Sequence, residues 1–420
     1  MGKGDHITIA FLTLGCKLNY AETSTYERGF RAAGLVPVAK DAVADVYLIN
    51  TCSVTATSDA KSRNLIRKAL RINPSAKVIV TGCSAQLRRA EIEAIPGVTR
   101  VFGSGQKSFV VPDTLALLGV TQALPEPPSS VFDAWSSGER TRSFLKVQDG
   151  CDNLCAYCTV PYARGSSRSV PIERCVANAR SIAALGVKEI VLTGVNTGDF
   201  GRTTGESFLD LLKALDEVEG IERYRISSIE PNLLTDEIID WTASGTKFQP
   251  HFHIPHQTGS DELLTAMGRR YTTGFFASKL ERVRSAFEAP GKPKVFFGID
   301  VMVGLPGETE TLFRRTYDFL ERIRPAFIHV FPYSRRPGTP AASMPGQITE
   351  AVKKERVAAL EELCARLHSE FVESNRGIRE KVLFESSDRQ GFMEGYTGNY
   401  IRIRRPWEAS LCGKIVDVTI

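Results

Sequence analysis

Short apolar runs alternate with helix-patterned stretches in two long series, and this alternation restricts the fold more than any other feature. In residues 1–121, Ile7–Leu14, Val46–Asn50 and Lys77–Thr81 read as buried strands, rich in Ile, Val and Leu. The stretches 21–33, 58–72 and 86–94 read as the intervening helices. Such an order predicts a parallel sheet with helices on its faces. The series resumes at Phe144 with candidate strands Phe144–Gln148, Glu189–Gly194, Tyr224–Ile229, His251–Ile254, Val295–Val303 and Phe327–Tyr333. Each precedes a helix-like stretch, the last at 350–373. Six such units fall short of closing a standard barrel, so an open, partial (βα)6 barrel is expected over 144–374. Residues 122–143, dense in Pro, Ser and Gly, read as a linker between the two α/β regions. From 375 to 420 the chain changes character. KVLFES, GNYIRIRR and GKIVDVTI read as short strands of a small all-β module.

Composition excludes other classes. Apolar residues make up 42% and charged residues 24% of 420, which rules out a disordered or collagen-like chain. No run approaches the roughly 18 apolar residues of a membrane-spanning helix, so no membrane contact is expected. The start, MGKGDHITIAFLTLG, lacks a small-residue cleavage site and runs straight into a strand pattern, which favours a cytoplasmic, reducing location. The net charge of +5 permits a nucleic-acid partner without requiring one. Nine cysteines are too sparse for a disulfide scaffold in a chain this long, and in a reducing compartment clustered thiols point to metal or redox chemistry.

The cysteines divide into three sets. Cys151, Cys155 and Cys158, in DGCDNLCAYC, stand on one compact loop just after a strand. Three thiolates can hold three corners of a cubane iron–sulfur cluster, which ordinarily takes four, and so leave one iron open for a ligand. A three-cysteine zinc site or three buried thiols is the plainer alternative. Cys16, Cys52 and Cys83 are far apart in sequence, yet each lies just beyond a predicted parallel strand. In an open α/β sheet those strand ends share one edge, where ligands bind. Three core cysteines placed there by coincidence would look the same. Cys175, Cys364 and Cys412 show no spacing logic and read as packing residues.

A C-x3-C-x2-C loop opening a (βα)6 barrel resembles the radical S-adenosylmethionine enzymes, and FLKVQDGCDNLCAYCTVPYARGSSRS resembles their methylthiotransferases. The resemblance implies two 4Fe–4S clusters, one on each triad, with S-adenosylmethionine used twice per turnover. One molecule would methylate a sulfur on the auxiliary cluster of the amino-terminal domain and the other would yield a 5′-deoxyadenosyl radical. The product would be a 2-methylthio group on the adenosine at position 37 of tRNA, beside the anticodon. A purine C2–H has neither an acidic proton nor a leaving group, so acid–base chemistry could not activate it. The implied partners are a tRNA anticodon loop, an electron donor of the flavodoxin or ferredoxin type, and a sulfur donor. GCKLN (15–19), GVNTGDFG (194–201) and HVFPYSRRPGTPA (329–341) look like the branch acting on threonylcarbamoyladenosine. The isopentenyladenosine branch more often has GCQMN and GQNVN, and the branch modifying a ribosomal protein has GCPKN. Methylthiolation of isopentenyladenosine is therefore the alternative substrate reading, and a non-catalytic iron–sulfur or zinc RNA-binding protein is the alternative from another class.

Residues at the carboxyl ends of barrel strands are the expected cofactor contacts. They are Gly194 and Asn196, Ser228 and Glu230, Gln257 and Ser260, and Gly304 and Gly307, with Tyr157 placed to pack on an adenine. Loop geometry alone would also explain any one of them. His251, His253 and His256 raise the question of a zinc site, although a strand puts 251 and 253 on one face without 256. Arg63, Arg67 and Arg71 form a basic stripe on a helix, for which a solvated face is the ordinary reading. Arg164, Arg168, Arg335 and Arg336 lie on loops where phosphate contacts are expected. The tail resembles the TRAM-like RNA-binding module that ends members of this family, and its YIRIRR alternates apolar and basic residues.

Overall fold

A computed structural model describes residues 6–120, 131–138, 140–385 and 390–420. Residues 122–130 and Glu139 of the expected linker, and Ser386 at the end of KVLFES, lie outside them. By contacts the chain divides into two compact units, one of residues 1–137, 144–154 and 158–170, the other of 138–143, 155–157 and 171–420.

The first unit is built on five parallel strands: β1 (Thr8–Thr13), β2 (Val36–Val38), β3 (Val46–Thr51), β4 (Lys77–Gly82) and β5 (Val98–Val101), in spatial order β2-β1-β3-β4-β5. The central strand β3 is buried along its whole length, as the unbroken apolar run VYLIN requires of a strand covered on both faces. One face packs on Tyr26, Phe30 and Val110, and the other on Ile66, Ala69 and Ile92. The three expected strands are present. Two more, β2 and β5, occupy the sheet edges, and helix 110–117 also joins the unit. Two short antiparallel pairs belong here as well. Ala134–Trp135 (β6) faces the end of Arg142–Lys146 (β7), and Gln148–Asp149 (β8) faces Arg168–Ser169 (β9).

In the second unit five parallel strands follow one another in both sequence and space: β10 (Glu189–Thr193), β11 (Arg223–Ile226), β12 (Phe248–His253), β13 (Phe296–Val303) and β14 (Phe327–Pro332). With β7 they account for all six strands expected of the second series. Phe252 and Phe297 turn toward the helices, where Phe252 meets Phe287 and Arg284 covers Phe297. Strand alternation then turns Gln249, His251, His253, Gly298 and Asp300 to the concave face.

The tail forms a four-stranded antiparallel sheet of β15 (Arg379–Phe384), β16 (Phe392–Thr397), β17 (Arg402–Pro406) and β18 (Ile415–Thr419), in order β17-β16-β15-β18. Its β16 is one strand more than the sequence suggests. The tail packs onto the start of the second sheet. Arg225 donates to the carbonyls of Thr397 and Gly398 at 2.8 and 2.7 Å, and Arg223 to that of Tyr396 at 3.1 Å. The buried Glu189 carboxylate neutralises Arg225 at 2.7 Å, with Arg223 at 3.7 Å and Arg142 at 4.0 Å.

Candidate functional site

Parallel register brings the auxiliary triad together. Thr13 pairs with Asn50 and Asn50 with Thr81, so the carboxyl ends of β1, β3 and β4 are level. Cys16 follows β1 as the residue preceding helix 17–32, Cys52 follows β3 directly, and Cys83 opens the short helix 83–87. Cys52 and Cys83 are buried and Cys16 is exposed. Burial raises the Cys83 and Cys52 thiols above their ordinary range, and each also feels the Cys16 sulfur. Gly15 shapes the cradle. Its backbone is left-handed (φ 106°), and a β-carbon there would stand 2.9 Å from Cys52 Cβ and 3.1 Å from its Sγ. Gly82, with φ 98°, likewise lies so close to the Thr51 backbone and to Asn50 Oδ1 that no side chain fits.

Behind this rim lies a buried charge network. Glu22 Oε1 accepts from Lys107, Lys146 and Arg164 at 2.7, 3.0 and 3.2 Å. The Asp149 carboxylate takes the same three cations at 3.2, 2.7 and 2.9 Å. Burial alone would push the Glu22 carboxyl up, but the three cations outweigh it and hold it at about 2. With Arg168 at 3.5 Å from Asp149 on the network's edge, four cations face two carboxylates and leave an excess of positive charge. After the effect of its burial, the Cys83 sulfur is the largest influence on Arg164 and favours its charged form. Arg164 also donates to Asn19 Oδ1 at 2.5 Å, and Asn19 Nδ2 donates to the carbonyls of Leu14 and Thr51. A rim of cysteine sulfurs with a cation behind it suits a cluster of net negative charge. Arg164 is therefore no surface phosphate contact. It and Arg336 are each 3% exposed, which corrects the reading of both as exposed loop arginines.

In the C-x3-C-x2-C loop, Cys151 Sγ accepts from the Asn153 N–H and Cys158 Sγ from the Val160 N–H, both at 3.4 Å. Arg269 lies 3.6 Å from Cys155 Sγ and pairs with Glu230 at 2.8 Å. Backbone N–H and guanidinium groups thus point their positive ends at these sulfurs, so this loop too fits an anionic cluster.

A family model described as uncharacterized protein family UPF0004 matches residues 8–103, and one for the Radical SAM superfamily matches residues 145–320. A threonylcarbamoyladenosine tRNA methylthiotransferase of Bacillus subtilis is 40% identical, covering 98% of this chain and 93% of that protein. One from Aquifex aeolicus is 38% identical over 98% and 100%. The chain belongs to the radical S-adenosylmethionine methylthiotransferases. A tRNA-2-methylthio-N(6)-dimethylallyladenosine synthase of Sphingopyxis alaskensis is 35% identical over 97% and 94%. A solved structure titled as the radical S-adenosylmethionine methyltransferase TsrM of Kitasatospora setae shares the fold at 14% identity and a TM-score of 0.57, covering 80% of this chain and 74% of that one.

In this methylthiotransferase the expected cofactor residues fall into two groups. Asn196, Ser228 and Glu230 gather at the ends of β10 and β11. Asn196 Oδ1 accepts from the Glu230 N–H at 3.3 Å, and Ser228 Oγ donates to the Val195 carbonyl at 3.0 Å. Gln257 bridges toward β13, its N–H donating to the Asp300 carbonyl at 2.8 Å. Ser228 and Gln257 hold left-handed backbone (φ 50° and 80°), uncommon for residues with side chains and found at sites where geometry matters. The remainder have visible structural tasks. Ser260 caps helix 261–266, Gly304 donates to Glu308 Oε2 at 2.6 Å, and Gly307 donates to the Gly346 carbonyl at 2.9 Å. Gly194 is half-buried, and Tyr157 packs with Ala156, Met267, Leu305, Tyr333 and Ala341.

The three histidines do not converge. His256 turns outward among Tyr271, Phe276 and Phe319, fully buried, and is held neutral by burial and by Arg269, down to about 3. His251 stacks on Phe296 at 4.9 Å. His253 instead meets Asp300 and His329. Asp300, His329, Arg269 and the Glu22–Asp149 network were not singled out in the sequence. Asp300 and His329 are joined only by the β13–β14 register, and Arg269 and the charge network only by the packing of elements far apart in sequence.

Proposed function

We propose that this chain inserts a methylthio group at C2 of N6-threonylcarbamoyladenosine beside the anticodon of tRNA. The observation that carries the reading is the convergence of Cys16, Cys52 and Cys83 on one sheet rim of a chain that also bears the C-x3-C-x2-C loop. Cys151, Cys155 and Cys158 hold one 4Fe–4S cluster, and Cys16, Cys52 and Cys83 hold the auxiliary one. When bound, these groups and S-adenosylmethionine supply the 5′-deoxyadenosyl radical and the sulfur. The chain's own residues do the rest. Arg164 and the network behind it set a positive potential under the auxiliary rim. Arg269 fixes Glu230 and lies against Cys155, while Asn196, Ser228 and Gln257 present polar atoms and close backbone to S-adenosylmethionine.

In this reading residues 1–121 form the auxiliary-cluster domain, 122–143 the linker, 144–374 the radical domain and 375–420 a TRAM-like module that contacts tRNA phosphates. The protein acts in the cytoplasm with a flavodoxin- or ferredoxin-type reductant and a separate sulfur donor. An anticodon loop suits it because unpaired bases can splay into a pocket.

Anaerobic reconstitution tests the cluster assignment, with about eight irons per chain expected. Cys151→Ala should abolish 5′-deoxyadenosine formation. Cys52→Ala should retain it while losing sulfur insertion. Zinc in place of iron, without cleavage of S-adenosylmethionine, would support the non-catalytic alternative. Mass spectrometry of tRNA nucleosides from a deletion strain tests the substrate. Loss of the methylthio group from isopentenyladenosine alone would move the chain to the other branch.

A further inference from the structure

On the concave face of the second sheet, three side chains from three adjacent strands meet. His253 ends β12, Asp300 lies in the middle of β13 and His329 in β14. Register puts Asp300 directly beside His329 and His253 beside Gly298. His253 Nε2 is 2.8 Å from Asp300 Oδ1, and the two imidazoles stand nearly perpendicular with centroids 5.4 Å apart. One ligand atom from each of the three lies within 4.8 Å of the others. Among the described residues no other His, Cys, Asp and Glu group is so close. Gly298 lies between the rings: a β-carbon there would touch His253 at 3.7 Å, His329 at 3.9 Å and Phe296 at 3.3 Å, so a larger side chain would fill the gap. His253 and Asp300 are each about one-fifth exposed, and His329 is exposed. The group is therefore accessible to a ligand.

We infer that His253, Asp300 and His329 form the subsite that receives the threonyl end of the substrate base, with a His329 N–H on its carboxylate and Asp300 accepting from its hydroxyl. The inference rests on the substrate reading above. The chemistry matches atom by atom. Of the two candidate bases, one carries a carboxylate and a hydroxyl and the other an apolar prenyl group. His253 holds Asp300 in a fixed orientation through its Nε2, while His329 supplies the donor across the Gly298 gap. A prenyl group lying here would strip water from two imidazoles and a carboxylate and return no hydrogen bond, the arrangement by which polar sites reject apolar analogues most strongly. The cluster thus both selects one base and disfavours the other.

The test uses the reconstituted full-length enzyme with three anticodon stem-loop RNAs, bearing threonylcarbamoyladenosine, its carboxamide analogue or isopentenyladenosine. Wild type should prefer the first. His329→Phe should lower kcat/KM for it by about ten- to a hundredfold, chiefly through KM. The same substitution should cost the carboxamide RNA less, because a neutral amide oxygen accepts a weaker hydrogen bond than a carboxylate does. His329→Gln, which keeps an N–H donor, should restore much of the loss. Iron content and circular dichroism report whether each variant is folded. An equal loss on the first two RNAs would make the cluster merely structural and overturn the inference. So would an undiminished preference in His329→Phe while wild type remains specific for threonylcarbamoyladenosine. If wild type itself favours isopentenyladenosine, the substrate reading fails and this one with it. Zinc or iron bound beyond the two clusters and lost in Asp300→Asn would assign the three residues to a metal instead.

Discussion

Single side chains in this protein take roles that their residue type does not announce. His256 is a fully buried imidazole whose two ring nitrogens have no hydrogen-bond partner among the described residues. It packs as an aromatic ring, with its centroid 4.0 Å from that of Phe276. His256→Phe should therefore match or exceed wild-type stability near pH 7, since it removes unsatisfied buried nitrogens. The larger effect is the pH dependence. The folded imidazole is depressed from 6.5 to about 3, so between those values the unfolded chain takes up a proton that the folded chain refuses. Stability conferred above that window is lost as pH falls through it. Wild type should lose about 1 kcal/mol from this group between roughly pH 7 and 5.5, and the variant should not. Thermal unfolding under anaerobic conditions at the two pH values measures the difference. Arg164 is the opposite case, a buried charge with its partners in place. Arg164→Met leaves the two carboxylates with both lysines and Arg168, yet it withdraws the cation nearest the Cys83 rim and the donor to Asn19. Breaking such a buried network costs about 3–5 kcal/mol, and a lowered unfolding midpoint with reduced iron at the auxiliary site is the expected result.

At the level of elements, legibility followed burial. Continuous apolar runs such as VYLIN exposed the central strands, and the βα order exposed the parallel topology. The strands that escaped are edge or interrupted ones. VPV in β2 carries a proline, tolerated only because one side of an edge strand has no partner, and VTRV in β5 is short with polar residues between its valines. In the tail, β16 was hidden by Gly395, which breaks the strand pattern. That glycine is required, because a β-carbon there would press on Val382 at 2.6 Å and Phe384 at 2.8 Å. That Cys16, Cys52 and Cys83 share one rim was legible because all three follow strands. The His253–Asp300–His329 group was not, because pairing Asp300 with His329 needs the β13–β14 register. The turn from β4 into Cys83 yields an element-scale prediction. Gly82→Ala must displace the Thr51 backbone just before Cys52 and shift Cys83 with it. Reconstituted iron should fall from about eight to about four per chain, with 5′-deoxyadenosine formation retained. A full complement of iron would show that the rim tolerates the shift.

Across the whole molecule, burial of charge recurs where one structural part must be fixed to another. In the first unit, Glu22 on helix 17–32 joins Lys107 from the far end of its sheet sequence, Lys146 on β7 and Arg164 beyond the cysteine loop. In the second, Glu189 on β10 gathers arginines that reach out to tail carbonyls. These contacts are costly to desolvate and gain little net stability over apolar packing, but they accept only one register, because each guanidinium must meet named carbonyls. The tail's register therefore depends on Arg225. Arg225→Met would keep much of the side-chain volume while leaving the Thr397 and Gly398 carbonyls without their donor and Glu189 with its more distant arginines. The expected outcome is local release. Amide exchange in 379–384 and 392–406 should quicken by at least about tenfold, corresponding to roughly 1.4 kcal/mol of lost protection, while exchange in β12 and β13 stays near wild type. If the tail is the module that positions tRNA, the same variant should weaken tRNA binding and leave RNA-independent cleavage of S-adenosylmethionine intact. Exchange that quickens equally throughout the second unit would mean that Arg225 stabilises the sheet itself. The tail would then be held by its remaining contacts, Asn399 to the Lys294 carbonyl and Tyr400 against His251 and Phe296.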